Sequence, residues 1–317
     1  MRYRNIGFAT TGSFSGIFSA SDVEFRKRIG AWRDNTVPAA GGAILNGVWT
    51  TRANMGYSTY NPSAWGGLNA NMAIGGQTAG AQIWNGSSWS TQTNPGYHSY
   101  DTVGAGTTTA GLYFGGRLNA GYSIIAAGET WNGSAWSAAS GTLPSARCTG
   151  GSGATSNAAF AASADTNPNT GVAIADTATY NGTSWTVQGN LNTARRNGFT
   201  AGIPTAGLVV GGNNSGNTVS LQSTEKFNGS TWTTSGNLLN TNSNNTYGGG
   251  GQQTAAYRVG HYGQTWVEGF DGSAWASCTG LNTALGYSSA NNSSTGAGTV
   301  SMGGYNGGAM NHFETYA

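Results

Sequence analysis

A tryptophan that returns at nearly constant intervals constrains this chain more than any other feature. An aromatic or apolar residue, then Asn-Gly or Asp-Gly, then two residues and the tryptophan, recurs six times. The copies are Leu45-Asn46-Gly47-Val48-Trp49 (one residue shorter), Trp84-Asn85-Gly86-Ser87-Ser88-Trp89 and Trp131-Asn132-Gly133-Ser134-Ala135-Trp136. They continue with Tyr180-Asn181-Gly182-Thr183-Ser184-Trp185, Phe227-Asn228-Gly229-Ser230-Thr231-Trp232 and Phe270-Asp271-Gly272-Ser273-Ala274-Trp275. Successive tryptophans lie 40, 47, 49, 47 and 43 residues apart. Four short strands fill such a period, which is the spacing of β-propeller blades.

Each copy has a mechanism. Asn-Gly and Asp-Gly supply the positive φ angles of a type I′ hairpin turn. The aromatic before the turn and the tryptophan after it then share one hairpin face, so each blade offers an aromatic pair to its neighbour, and Trp89, Trp136, Trp185, Trp232 and Trp275 are each expected to be largely buried between blades. A second mark is an apolar run ending in small residues: Ala73-Ile74-Gly75-Gly76, Leu112 to Gly116, Ala158 to Ala162, Leu208 to Gly212, a degraded Ala256 to Gly260, and Val300 to Gly304. These runs are expected to open the inner part of each blade, where the backbone passes through a crowded centre. A third mark is an acid two residues before the hairpin aromatic: Glu129, Glu225, Glu268 and Glu314, with Gln82 in the same place. A catalytic acid need occur only once. A recurring acid is expected to hydrogen-bond backbone within its blade.

The marks count six blades. The last is followed by Phe313 to Ala317, a third strand with its acid and aromatic but no tryptophan beyond it. The missing fourth strand is expected at the other end, with Ile44 to Thr51 pairing with Met310 to Tyr316. The fold class is therefore all-β: a six-bladed propeller over residues 41–317, closed by its N- and C-terminal strands, preceded by an arm over residues 1–40.

Composition excludes several partner modes. Charged residues make up 8% of the chain and the net charge is +2, too few bases to track a nucleic-acid backbone. No segment approaches the apolar run of a membrane span, so no membrane insertion is expected. Met1 to Ala20 makes a poor signal peptide, because Thr10-Thr11-Gly12-Ser13 breaks its apolar residues. Cys148 and Cys278 are too few for a disulfide framework or a zinc site and read as isolated thiols.

With paired glycines, then Glu-x-aromatic, then the tryptophan about six residues beyond, the sequence resembles the kelch family over roughly residues 45–317. The Asn-Gly-Ser/Thr-x-Trp variant, with linkers such as Asn190 to Arg195 and Leu281 to Ala284, is most similar to kelch-like propellers in virion proteins of tailed bacteriophages. That resemblance implies a virion location on a tail, neck or fibre appendage.

Catalytic constellations are not found. His98, His261 and His312 fall in different blades and at different depths of the repeat. Arg52, Arg117, Arg147, Arg195, Arg196 and Arg258 are expected to be inter-blade linker arginines, although Arg147 and Arg196 begin corresponding strands. Asn85, Asn132, Asn181 and Asn228 satisfy the glycosylation sequon and are explained as turn residues. The expectation is a non-enzymatic structural or adhesion protein without cofactor or metal, the propeller displaying an interaction face. A second reading is a carbohydrate-binding propeller for host receptors, with Tyr97, Tyr100, Tyr122, Tyr247 and Tyr287 as candidate contacts. A third, a glycan-active hydrolase or oxidase, lacks its residues.

The arm concentrates charge: residues 1–34 hold six of the thirteen bases. Ser21 and Glu24 have capping-box spacing, and Phe25, Ile29 and Trp32 would share a helical face flanked by Arg26, Lys27 and Arg28. Gly30 weakens that helix, and an alternating strand through Val23 and Phe25 competes with it. Phe25, Arg26, Arg28, Ile29 and Trp32 are the candidate docking residues, toward other virion proteins or copies of the same chain. The competing reading has the arm merely covering one propeller face.

Overall fold

The computed structural model describes residues 48–76, 80–97, 99–118, 123–166, 171–240, 248–261, 263–284, 286, 289–290 and 299–316. The docking residues of the arm therefore lie outside the described residues, as do Tyr122, Tyr247, Tyr287 and His98.

Among the described residues the secondary structure is β-strand apart from one short 3-10 turn, Ser215–Asn217. Six antiparallel sheets form the blades, each with a four-stranded path, and a separate two-stranded sheet pairs Ser99–Tyr100 with Arg117–Leu118. Blade 1 is Ser63–Gly67, Ala70–Ile74, Ala81–Trp84 and Trp89–Thr91; blade 2 is Val103–Gly106, Gly111–Phe114, Gly128–Trp131 and Trp136–Ala138. Blade 3 is Cys148–Thr155, Ala158–Asp165, Thr177–Tyr180 and Trp185–Gln188, with Ala173–Ile174 added beside its second strand. Blade 4 is Phe199–Ile203, Ala206–Val210, Ser223–Phe227 and Trp232–Asn237; blade 5 is Gly249–Gln252, Ala255–His261, Gln264–Phe270 and Trp275–Ser277. Blade 6 takes Ser289–Ala290, Thr299–Met302 and Phe313–Tyr316 from the end of the chain and Trp49–Thr51 from its beginning. Trp49 lies opposite Tyr316, Thr50 opposite Thr315 and Thr51 opposite Glu314. The closure expected from the complementary deficit at the two ends is present over residues 49–51 and 314–316; Ile44 to Gly47 lie outside the described residues, and Met310 bridges Thr59 instead.

The first strands of successive blades contact one another in a closed ring, which defines the propeller axis. The core is correspondingly divided into six clusters, each between two adjacent blades. Trp65, Met72 and Ile74 of blade 1 meet Tyr113 and Trp131 of blade 2, and Phe160 and Ala162 of blade 3 meet Val209, Phe227 and Trp232 of blade 4. Met302 and Phe313 of blade 6 meet Ala73 and Trp84 of blade 1. The innermost strands need small residues because blades converge there: a Cβ on Gly249 would collide with the Phe199 ring of the preceding blade.

Two expectations change. The small-residue marks lie on the second strand of each blade, running past its end in blades 1, 2, 4 and 6, rather than opening its inner part, and the glycine-rich innermost strands come before them. The paired glycines are turn residues: Gly211 and Gly212 have φ of 63° and 89°, and a Cβ on Gly212 would strike the Arg196 carbonyl in the segment entering the blade. The tryptophans also divide. Trp232 and Trp275 are buried, whereas Trp89, Trp136 and Trp185 are half-buried. The cross-strand partners differ in bulk. The half-buried indoles stand opposite Trp84, Trp131 and Tyr180, the two buried ones opposite Phe227 and Phe270. The inserted indoles donate to a threonine of the preceding blade, Trp232 to Thr177 and Trp275 to Thr224, each at 2.8 Å. Trp89 and Trp136 donate instead to the carbonyls of Ala53 and Thr93 in the linkers.

Candidate functional site at the axial end

Two sets of ionisable residues occupy the end of the propeller where the innermost strands begin. The first is the repeated acid. Each reaches back to the linker that brings the chain in from the previous blade, a longer reach than the bond inside one blade expected from sequence. Glu129 accepts from the backbone N–H of Gly96 and Tyr97, and Glu225 from those of Asn192 and Thr193. Glu268 accepts from Asn240 N–H at 3.0 Å, and Glu314 from Asn282 and Thr283, both at 2.9 Å. Gln82 accepts from Gly56 N–H at 2.9 Å, so a neutral amide fills the same role.

The buried charges in this set are balanced differently in each blade. The Tyr113 hydroxyl donates to Glu129 at 2.5 Å, and its phenol pKa is raised by burial and by that carboxylate. Arg195 pairs with Glu225 at 2.6 Å and donates to the carbonyls of Gly211 and Ser223. Arg258 stands 3.9 Å from Glu268. His312 lies 3.3 Å from Glu314, and burial pushes its pKa down to about 4, so at neutral pH the imidazole is uncharged. Blade 3 has Ala178 in place of an acid, and its Arg147 bonds Ser145 and sits 3.6 Å from Asp176. Arg147 corresponds to Arg195 rather than to Arg196, since each bonds the residue two before it and donates its own N–H to an isoleucine carbonyl, Ile125 or Ile174.

The second set lies off the repeat and draws on four blades. Asn61, Asp101 and Asn197 each stand two residues before the innermost strand of blades 1, 2 and 4, with φ of 51°, 60° and 58°. Asn and Asp are the side chains that best tolerate that left-handed backbone. Asn61 hydrogen-bonds Asp101, and Arg117, Arg196 and Asp165 surround it electrostatically. Asp165, at the end of the second strand of blade 3, pairs with Arg196 at 3.0 Å. Burial is the largest influence on Asp101 and raises its pKa to about 6, against the pull of both arginines. Around this cluster Oδ1 of Asn61, Oδ1 of Asp101, Oδ1 of Asn213 and Nε of Arg196 are buried without a hydrogen-bond partner. Cys148 begins the innermost strand of blade 3 beside these charges. Burial and the two aspartates push its thiol well above the usual range, leaving it an unreactive thiol at neutral pH.

Sequence reasoning named Arg117 and Arg196 only as linker residues and missed Asn61, Asp101 and Asp165. A signal was available: Asp101, Asp165 and Asp176 are the acids beyond residue 50 that fall neither on the repeated position nor in a hairpin turn. Of the tyrosines proposed for sugar contact, Tyr97 is exposed, but its backbone is committed, its carbonyl to Tyr113 and its N–H to Glu129. The backbone of Tyr100 pairs with Arg117, and its side chain lies outside the described residues. Among the described residues no group of three or more His, Cys, Asp or Glu side chains is placed to hold a metal ion.

The ring closure and inter-blade cores define a six-bladed β-propeller. No family model matches the chain, and no curated protein matches it. Among solved structures it is similar to YjhT, with a TM-score of 0.66 over 84% of this chain and 95% of that one. Identity between the two is 8%, a likeness of fold alone.

Proposed function

We propose that this chain is a non-enzymatic recognition protein of the kelch type, carried on a tail, neck or fibre appendage of a tailed-bacteriophage virion. Its arm, residues 1–40, docks to the particle, and the propeller is the displayed part. One observation carries the non-enzymatic reading: the recurring buried acids are committed to backbone N–H groups of the linkers, so they build the ring and are not held for substrate. The virion assignment rests on the resemblance of the repeats. Antibody raised against the purified chain should decorate one appendage of intact particles in electron micrographs. Particles that carry no trace of the chain by mass spectrometry would remove the virion reading.

A further inference from the structure

We infer that Asn85, Asn132, Asn181 and Asn228, in the hairpin turns of blades 1 to 4, are sites of spontaneous intramolecular modification. Each loses ammonia through a cyclic imide and becomes an acid, and the turn itself promotes the step. This holds whether or not the chain is carried on a particle.

In each turn the asparagine is exposed and only its Oδ1 is held by the fold, through three hydrogen bonds. At Asn228 the donors are Ser230 N–H at 3.0 Å, Ser230 Oγ at 3.1 Å and Thr231 N–H at 2.9 Å. At Asn181 they are Thr183 N–H at 3.0 Å, Thr183 Oγ1 at 2.9 Å and Ser184 N–H at 2.9 Å. Ser87 and Ser88 give the same set to Asn85, and Ser134 and Ala135 give it to Asn132. Among the described residues, neither Nδ2 of these asparagines nor the N–H of the glycine that follows bonds to the chain. The fold therefore ties up neither the nucleophile nor the leaving group.

The backbone nitrogen of that glycine attacks Cγ of the asparagine. The new N–Cγ bond forms as the Cγ–Nδ2 bond breaks. The glycine N–H proton goes to solvent, and the departing amide nitrogen takes one up and leaves as ammonia. Water then opens the imide: cleavage at Cγ gives Asp, and cleavage at the main-chain carbonyl gives isoaspartate. Negative charge gathers on Oδ1 in the first step. Three donors are already directed at that atom, the arrangement that stabilises a developing oxyanion. Glycine brings no Cβ to crowd the approach.

Two other positions sharpen the inference. Blade 5 carries Asp271 at the equivalent place, where its Oδ1 accepts from Ser273 N–H, Ser273 Oγ and Ala274 N–H, each at 2.8 Å. The Asp product therefore already fits this turn. Asn197-Gly198 is the same dipeptide outside the hairpin turns, but there Gly198 is buried and its N–H donates to Ser163 Oγ at 3.0 Å. With its nucleophile committed, this pair should stay intact. The antiparallel strand order puts the modified turns at the end of the propeller away from the Asp101 cluster. Four new carboxylates there would reverse the sign of a net charge of +2.

The test incubates the full chain for several weeks at mildly alkaline pH and maps its peptides by mass spectrometry. Expected is conversion at Asn85, Asn132, Asn181 and Asn228, with Asn197 converting only when the chain is unfolded in urea. Ser230→Ala removes one donor and should slow Asn228 roughly fivefold, leaving Asn85 at its own rate. If the three bonds merely clamp the side chain, the same substitution speeds the reaction instead. Near-ultraviolet circular dichroism checks the fold of the variant, and Ser134→Ala repeats the comparison at Asn132 if that fold is lost. Four intact asparagines in the folded chain, conversion of Asn197 as fast as theirs, or a Ser230→Ala reaction that is not slowed would each overturn the inference.

Discussion

At the scale of single residues, one repeat position does different work according to its neighbour. Trp232→Ala should lower stability in urea by about 3–5 kcal/mol, and Trp89→Ala by about half as much, because only the first indole is fully inserted between blades. Equal losses would show that the depth of the indole does not matter. The titratable residues give a paired expectation. Asp101 has a raised pKa, so the folded state binds its proton more tightly than the unfolded chain does. Its contribution is most favourable at low pH and declines as pH rises from about 4 to about 6. His312 has a lowered pKa, so folding favours its neutral form, and its contribution is lost as pH falls from about 6.5 to about 4. The two effects oppose one another in the same window and are each on the order of 2–3 kcal/mol. Melting temperature of the unaltered chain should therefore vary little between pH 4 and 6.5. Asp101→Asn should make it drop on acidification, and His312→Gln should make it rise. A flat profile in both variants would contradict the assignment of these groups. The recurring acids were legible in the sequence because repetition itself marks a structural task. The Asp101 cluster was not, because its members come from four blades and share no spacing.

At the scale of strands and blades, the acid-to-linker bond is the common joint and its counter-charge is the variable part. Glu129→Gln should cost no more than about 1–2 kcal/mol, since Gln82 already performs the same bond as an amide and Tyr113 retains a neutral partner. Glu225→Gln should cost about 3–5 kcal/mol, because it leaves the buried Arg195 guanidinium without its carboxylate. Chemical denaturation of the two variants side by side decides this, and similar losses would refute the distinction. Strand pairing within blades was readable from the Asn-Gly and Asp-Gly turns, but these are not type I′: only the glycine has positive φ, and the Asn or Asp side chain accepts from the two N–H groups beyond it, as Asn228 does at 3.0 and 2.9 Å. The role of the small-residue marks was misread for a physical reason. Glycine serves both close packing and positive φ, and composition alone does not separate these uses.

At the scale of the whole molecule, stability is held at six interfaces between blades, so the ring stands or falls by its closure. Deleting residues 1–52 removes Trp49, whose indole donates to the Thr279 carbonyl and whose own carbonyl accepts from Asn282 Nδ2. That truncation should aggregate or lose its single cooperative melt, whereas a chain beginning at residue 41 keeps the closing strand and should melt as the full chain does. On the proposed reading the chain beginning at residue 41 stays folded and soluble but fails to join the particle. Its normal incorporation would end the docking role of Phe25, Arg26, Arg28, Ile29 and Trp32. The blade count and the closing strand followed from the tryptophan period and the deficit at the two ends. The division of the core into six separate clusters followed from neither, being a property of how sheets meet in space.

The seam in blade 6 also fixes an order of events in time. The strand Trp49–Thr51 leaves the ribosome early, but its partner Phe313–Tyr316 follows some 260 residues later. At roughly 5–20 residues per second that is a wait of about 13–50 s. A waiting strand is a template for wrong pairing, and this one is poorly suited to that role. It is three residues long, its apolar surface is confined to one indole, and its other two members are threonines. The brevity that makes the latch look weak in the finished ring is thus a safeguard during synthesis, when five blades already exist and the sixth is still incomplete.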